Sequence, residues 1–285
     1  MKSDRPNPSL PVQSPPNVMP RELEALLAAP FADAWATEPG APTAARLRDR
    51  LAQRTASTRR AERDMVTVRV RSAPRVELAD GVTCRVLYEA PDPTALRPGE
   101  PNRVVCIELP AGAAYCPPAG PAALHREWLV LSGAVRRDGE PLSQRDYHVT
   151  PAGGAAGTWQ SEAGASLFLR ESAIPAATGD VSFTVHDAAA GWVDLTSRIR
   201  RRVLWQRDGQ AAMLYFALPG AKVPLHIHQH DEECIVLQGE VFLDDVLLRP
   251  GDYQLAPAGG GHRVTETETG VVVYAHGDLD IHFPA

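Results

Sequence analysis

GAKVPLHIHQHDEECIVLQGEVFLDDVLLRPGDYQLAPAGGGH, Gly220 to His262, is the stretch from which the fold is read. His226 and His228 are separated by one residue, so on a strand they share a face. Glu232 follows four residues later, after a short polar gap that suits a turn reversing the chain. Gly239 and Glu240 then close CIVLQGEV, LRPGD reads as a turn, and PAGGG bends the backbone so that His262 can return. Three imidazoles and one carboxylate are thereby on offer to a divalent transition metal, with coordination positions left open.

The glycine, proline, histidine and glutamate spacing resembles the cupin double motif, G-x5-H-x-H-x3-E-x6-G followed by G-x5-P-x-G-x2-H. It is matched at nine defining residues over 43, and Glu266 stands where the family often has asparagine. The resemblance implies two blocks on facing strands of a small β-barrel, with His226, His228, Glu232 and His262 as metal ligands. Zn²⁺ or Fe²⁺ suits that donor set best, and Mn²⁺, Ni²⁺ and Cu²⁺ are compatible with it.

An internal repeat extends this reading toward the N-terminus. WLVLSGAV at 128–135 answers CIVLQGEV at 234–241, and DYHVTPAGG at 146–154 answers DYQLAPAGG at 252–260, both offset by 106 residues. The expected class is therefore all-β, two RmlC-like jelly-roll barrels in tandem. The expected boundaries are a first barrel over 65–175 and a metal-binding barrel over 181–285. In the first copy Arg126 stands for Glu232 and Ala156 for His262. CPPAGPAAL lies opposite His226 and His228, so the first barrel is expected to hold no metal and to serve as half of a dimer interface.

Upstream, residues 1–20 carry six prolines among polar residues and are expected to be disordered. Residues 21–64 read as a helical arm: Leu23, Leu26 and Leu27 share a face before Pro30, and Leu47 and Leu51 share another. Its second half is basic, with Arg46, Arg48, Arg50, Arg54, Arg59, Arg60 and Arg63 against Asp49, Glu62 and Asp64. A solvated face, or packing on an acidic barrel, is expected ahead of docking to a protein or nucleic acid.

The chain as a whole carries 44% apolar residues and a formal charge of −6, which argues against non-specific nucleic-acid binding. No apolar run approaches a membrane span, and no secretory leader is recognisable. Cys84, Cys106, Cys116 and Cys234 show no CxxC pair, so a reduced, cytoplasmic setting is expected.

Around the metal motif, Met213, Tyr215, Cys234 and Val264 are expected to line a pocket. Glu233 is the one general acid or base outside the ligands that the sequence offers, and Asp231 is expected to shape the turn. His230 is placed in that turn and not on the metal. Arg198 to Arg202, RIRRR, reads as an exposed edge.

The segment HIHQHDEECIVLQGEV, with GDYQLAPAGGGHRVTETETG, resembles the cupin-like domain of ChrR-type anti-sigma factors. That resemblance implies a regulatory sensor of an oxidant, with the arm holding a sigma-factor-like partner. The arm contains no cysteine or histidine and so lacks the zinc motif of such arms. The alternative is a non-haem metal-dependent dioxygenase of the cupin class, acting on a small carbonyl or aromatic molecule.

Overall fold

The computed structural model describes residues 65–118 and 124–283, together with Arg46, Arg48, Asp49 and Ala52. The chain divides into two units, 1–56 and 57–285. In the first, the four described residues are helical. The expected disorder of 1–20 and the helix around Leu23 to Leu27 lie outside the described residues.

The second unit is all-β and consists of two jelly-roll barrels. In the C-terminal barrel the large sheet runs, in spatial order, Val66–Val68, Tyr253–Ala256, Glu232–Gly239, Val271–Asp278, Gln210–Ala217, Ile199–Arg207 and Val193–Asp194. A second sheet of Ala221–Ile227, Gly261–Thr267, Val241–Leu243 and Val246–Leu248 faces it. The N-terminal barrel repeats the order with Phe183–Val185, Tyr147–Thr150, His125–Arg137, Ala165–Ser172, Pro101–Leu109, Val82–Glu89 and Arg75–Ala79.

Two short strands cross the expected division at 175/181. Val66–Val68 pairs with Tyr253–Leu255 of the later barrel, and Phe183–Val185 pairs with Tyr147–Val149 of the earlier one. Each repeat thus lends its first strand to the other. An otherwise bare sheet edge is covered on both sides, which satisfies backbone groups that would template aggregation.

Period-two alternation separates the barrel interiors from the core between the barrels. On Glu232–Gly239, Cys234 and Val236 face the C-terminal lumen with Val241, Leu243, Leu248 and Val271, while Ile235 faces the core between the barrels with Leu129, Phe168, Tyr253 and Tyr274. The repeat glycines have a steric cause. Gly133 and Gly239 lie at φ +76° and +73°, and a Cβ would sit 2.4 Å from the Gly164 carbonyl or 2.0 Å from that of Gly270.

Arginines 198 to 202 are not a uniformly exposed edge: Arg198 and Arg200 are exposed as expected, but Arg202 is not. Ile199–Arg207 lies inside the sheet, and Arg202 is buried, with its guanidinium over the Trp192 ring at 4.4 Å and bonded to Asp187 and the Ala190 carbonyl. Packing against an indole and an ion pair lets a charge sit where strand alternation alone would forbid it.

The core between the barrels encloses a polar cluster built from repeat-equivalent positions. Arg170, fully buried, bonds Glu127 at 3.0 Å and Glu233 at 2.7 Å, and donates to the Gly99 carbonyl at 2.6 Å. The hydroxyls of Tyr147 and Tyr274 donate to Glu127, and that of Tyr253 donates to Glu233. His276 reaches Glu127 at 3.3 Å.

Burial opposes the charge on Glu127, but His276, Arg170 and His125 beside it, with the Tyr147 hydroxyl, hold its carboxyl down at about 2. Burial and the Arg170 charge push the His276 imidazole down to about 3. Both folded-state values lie below those of the unfolded chain. The contribution of His276 is therefore complete above pH 6.5 and is lost toward 3, and that of Glu127 is complete above pH 4.5 and is lost toward 2. From these two groups, urea unfolding is expected to show stability declining as pH falls below about 6.5 toward 4. The slope approaches ~1.4 kcal/mol per pH unit for each proton taken up on unfolding. Equal stability at pH 8 and pH 4 would contradict this.

Candidate metal centre

Four elements of the C-terminal barrel bring the motif residues together. His226 ends the strand Ala221–Ile227, and His262 stands opposite it in register on Gly261–Thr267. Close approach of these strands requires Gly261, where a Cβ would lie 2.2 Å from the His226 carbonyl oxygen. His228 is clamped to the following turn: its N–H donates to the Gly260 carbonyl at 2.9 Å, and its carbonyl accepts from Gly259 at 2.8 Å. Glu232 opens the strand Glu232–Gly239 and faces back toward the three rings.

Donor atoms of His226, His228 and Glu232 lie within 4.8 Å of one another. The imidazole centroids form a near-equilateral triangle, 5.1 Å for 226–228, 5.3 Å for 228–262 and 5.6 Å for 226–262. His262 Nε2 is 3.9 Å from Glu232 Oε1, so the fourth expected residue belongs to the same cluster. All three histidines are buried, and Glu232 is partly exposed.

The ring orientations are set from behind. His226 Nδ1 donates to the Pro224 carbonyl at 2.9 Å, which leaves the Nε2 lone pair directed at the cluster. His262 Nδ1 faces Asp244 Oδ2 at 3.8 Å. The same carboxylate accepts from the backbone N–H groups of Arg263 at 2.7 Å and Val264 at 3.2 Å, pinning the strand that carries His262.

The Asp278 carboxylate accepts from the N–H groups of Gln229 and His230 and from the His230 ring at 2.6 Å. His230 is thereby held in the turn, off the cluster. Asp231 caps the facing turn by accepting from the Ala258 N–H.

Electrostatics favour the ligating protonation states around one proton. Burial opposes charge on His228, but the Glu232 carboxylate at 3.2 Å wins and raises its pKa. Burial would raise Glu232, and the His228 hydrogen bond with the surrounding imidazoles lowers it instead. Burial lowers His226. A cation entering the cluster displaces the proton shared by His228 and Glu232, so uptake weakens as pH falls through the raised His228 value.

Two of the four expected pocket residues line a cavity of about 100 Å³ that reaches His226 and Glu232: Tyr215 and Cys234. Met213 and Val264 do not. Met213 is buried beneath Tyr215, whose hydroxyl contacts its sulfur at 3.4 Å. The in-out alternation breaks at Pro224, so two residues separate the inward Val223 from the inward His226, and likewise Thr265 from His262. Thr265 takes the place expected of Val264.

Glu233 is also corrected. Strand alternation sends it away from the cluster into the core between the barrels, where Arg170 and Tyr253 hold it, so it is no acid or base for this site. Burial pushes the Cys234 thiol well up, which keeps it protonated and unreactive.

Residues 180–280 match the family described as the ChrR cupin-like domain. The match spans the C-terminal barrel. Solved structures share the tandem fold. YlbA from E. coli is 13% identical with a TM-score of 0.59, over 76% of this chain and 93% of that one. A candidate dioxygenase from Nostoc punctiforme is 17% identical with a TM-score of 0.56, over 78% and 84%. Oxalate decarboxylase from Bacillus subtilis is 14% identical with a TM-score of 0.55, over 76% and 77%. A search of curated protein sequences gives no match.

The donors of the C-terminal barrel fit a divalent transition metal. The set is three imidazoles and a carboxylate, and the buried His228 Nε2 has no protein partner. In the N-terminal barrel the position of Glu232 is held by Arg126, whose guanidinium is neutralised by Glu171 at 2.8 Å and bonded to the Pro118 carbonyl.

Asp244 and Asp278 escaped the sequence reading, because neither occupies a motif position: Asp244 braces the strand of His262, and Asp278 braces the turn between His228 and Glu232. Asp244→Ala is expected to lower metal affinity of the domain by about 10- to 100-fold, since it frees the His262 ring and strand together. Competition against a coloured chelator measures this, and an unchanged affinity would remove Asp244 from the site.

Proposed function

We propose that the protein is a metal-dependent cupin that binds a small organic molecule against one divalent transition metal held by His226, His228, Glu232 and His262. Of the two functions read from the sequence, the geometry favours the enzymatic one, of oxygenase type. The carrying observation is the cavity that runs from the ligand cluster into the barrel, bounded by Tyr215 and Cys234. A bound metal supplies Lewis acidity and open positions for oxygen ligands.

The protein residues supply the rest. The imidazoles and Glu232 hold the ion, Asp244 and the Pro224 carbonyl orient the rings, and the apolar walls exclude water from the organic molecule. Tyr215, whose phenol is pushed up to about 12 by burial and by the Glu232 charge, stays protonated and can donate a hydrogen bond to that molecule.

A regulatory reading is supported by the match to the ChrR cupin-like domain and by the separate unit at 1–56. In that reading the metal site senses an oxidant and the arm holds a sigma-factor-like protein. One experiment separates the two: metal analysis of anaerobically purified protein, followed by oxygen uptake with a panel of small ketones. Iron with turnover supports the oxygenase. Tightly held zinc, no oxygen uptake and co-purification of a sigma factor support the sensor.

A further inference from the structure

The two lumens are built on one register but filled differently. Trp128 faces Leu169 across the N-terminal sheet as Cys234 faces Ala275 across the C-terminal one. Trp159 pairs with Tyr115 and Arg137, as Thr265 pairs with Val223 and Leu243. Three aromatic rings of the first barrel, Tyr115, Trp128 and Trp159, therefore stand where the second has Val223, Cys234 and Thr265.

In the first barrel the rings are buried, and the two indoles stack at 4.5 Å with 29° between planes, filling the interior. In the second, the three smaller side chains all line the cavity beside the metal ligands. The space that one barrel closes with its own flat apolar rings is left open in the other.

The cavity wall defines what can enter. Ile199, Val241, Leu243, Val271 and Val273 give an apolar lining, and the uncharged polar groups are Tyr215, Thr265 and Thr267. Apart from the imidazole of His226, Lys222 is the one basic residue of that lining, and it is paired with Glu266 at 3.1 Å near solvent. Arg201, opposite Tyr215 in register, has its guanidinium held by the Leu279 carbonyl, Asp280 and the Tyr215 hydroxyl. A dianion entering here would meet the carboxylates of Glu232 and Glu266, and the side-chain cations near the lining, Lys222 and Arg201, are already paired, which leaves the metal alone to offset its desolvation. An apolar cavity of ~150 Å³ admits benzene, and this one, at about 100 Å³, is smaller, which limits an occupant to about a five-membered ring whose oxygen lies outside the cavity at the ligand cluster.

We infer that the site takes a small, neutral, ring-sized apolar molecule carrying a carbonyl or hydroxyl oxygen for the metal, and does not take a small dicarboxylate. This deepens the metal-dependent reading above and rests on it for the oxygen contact alone. The ring-sized selectivity comes from the cavity.

The test titrates zinc-loaded full-length protein with cyclopentanone and, separately, with oxalate, by calorimetry or ligand-observed NMR. The same titrations are run on metal-free protein, on Cys234→Trp, which restores the residue of the first barrel, and on the milder Cys234→Leu. Cyclopentanone is expected to bind saturably to the zinc form and more weakly to the metal-free form. Both plugged variants are expected to lose at least about tenfold while retaining one zinc per chain, and oxalate is expected to give no saturable binding. Saturable oxalate binding in preference to cyclopentanone overturns the inference. So does cyclopentanone binding that is absent from wild type or undiminished in Cys234→Leu. Failure of wild type to load zinc would instead contradict the metal centre, and the metal-free titrations would still decide the cavity.

Discussion

Replacing His226 and His262 together by alanine is expected to abolish stoichiometric metal binding while leaving both barrels folded. The two rings stand on paired strands and supply half of a four-donor set. Structural zinc sites in zinc-finger peptides hold the metal with roughly 10–16 kcal/mol; on that scale, removing half the donors costs about 5–8 kcal/mol, or roughly four to six orders of magnitude in affinity. The hydrophobic clusters of the two lumens and of the core between the barrels contain neither histidine. Circular dichroism and the unfolding midpoint should therefore stay near wild type, apart from stability contributed by the metal itself. Metal retained at one equivalent by the double variant would contradict the assignment.

The second large effect lies away from the metal. Arg170→Met is expected to destabilise the tandem unit by about 3–5 kcal/mol, because it strands two buried carboxylates that share one guanidinium. Glu127 and Glu233 would keep only tyrosine and histidine partners. Adding Glu127→Gln and Glu233→Gln to that variant removes the stranded charge, and most of the loss should return. Equilibrium urea unfolding reads both steps. A single variant as stable as wild type, or a triple variant no better than the single one, would show that the cluster is not an ion network that holds the barrels together.

The tandem barrels and the convergence of the four motif side chains were legible because the glycines, the histidines and the 106-residue repeat are local patterns with fixed stereochemistry. His226 and His262 meet because strand pairing places them in register, as the spacing implied. What was not legible depends on contacts between segments far apart in sequence. The strand exchange of Val66–Val68 and Phe183–Val185 leaves no mark on either segment alone. Glu233 looked available beside Glu232, although strand alternation already placed the two on opposite faces, and Arg170 on the other repeat supplies its partner.

Val264 has the strand parity of His262, but alternation breaks opposite Pro224 and Thr265 lines the cavity instead. Met213 shares the strand face of Tyr215, but that larger side chain lies between it and the cavity. The open lumen could have been found in the sequence by comparing side-chain volumes across the repeat, where Trp128 against Cys234 and Trp159 against Thr265 carry the signal.

Diffraction from metal-saturated crystals at the absorption edge of the bound ion tests the central claim most directly. The account predicts one anomalous peak per chain, at about 2.0–2.2 Å from an imidazole nitrogen of each of His226, His228 and His262 and from a Glu232 oxygen. A saturated crystal whose anomalous peak lies elsewhere, or that shows none between those four side chains, would contradict it.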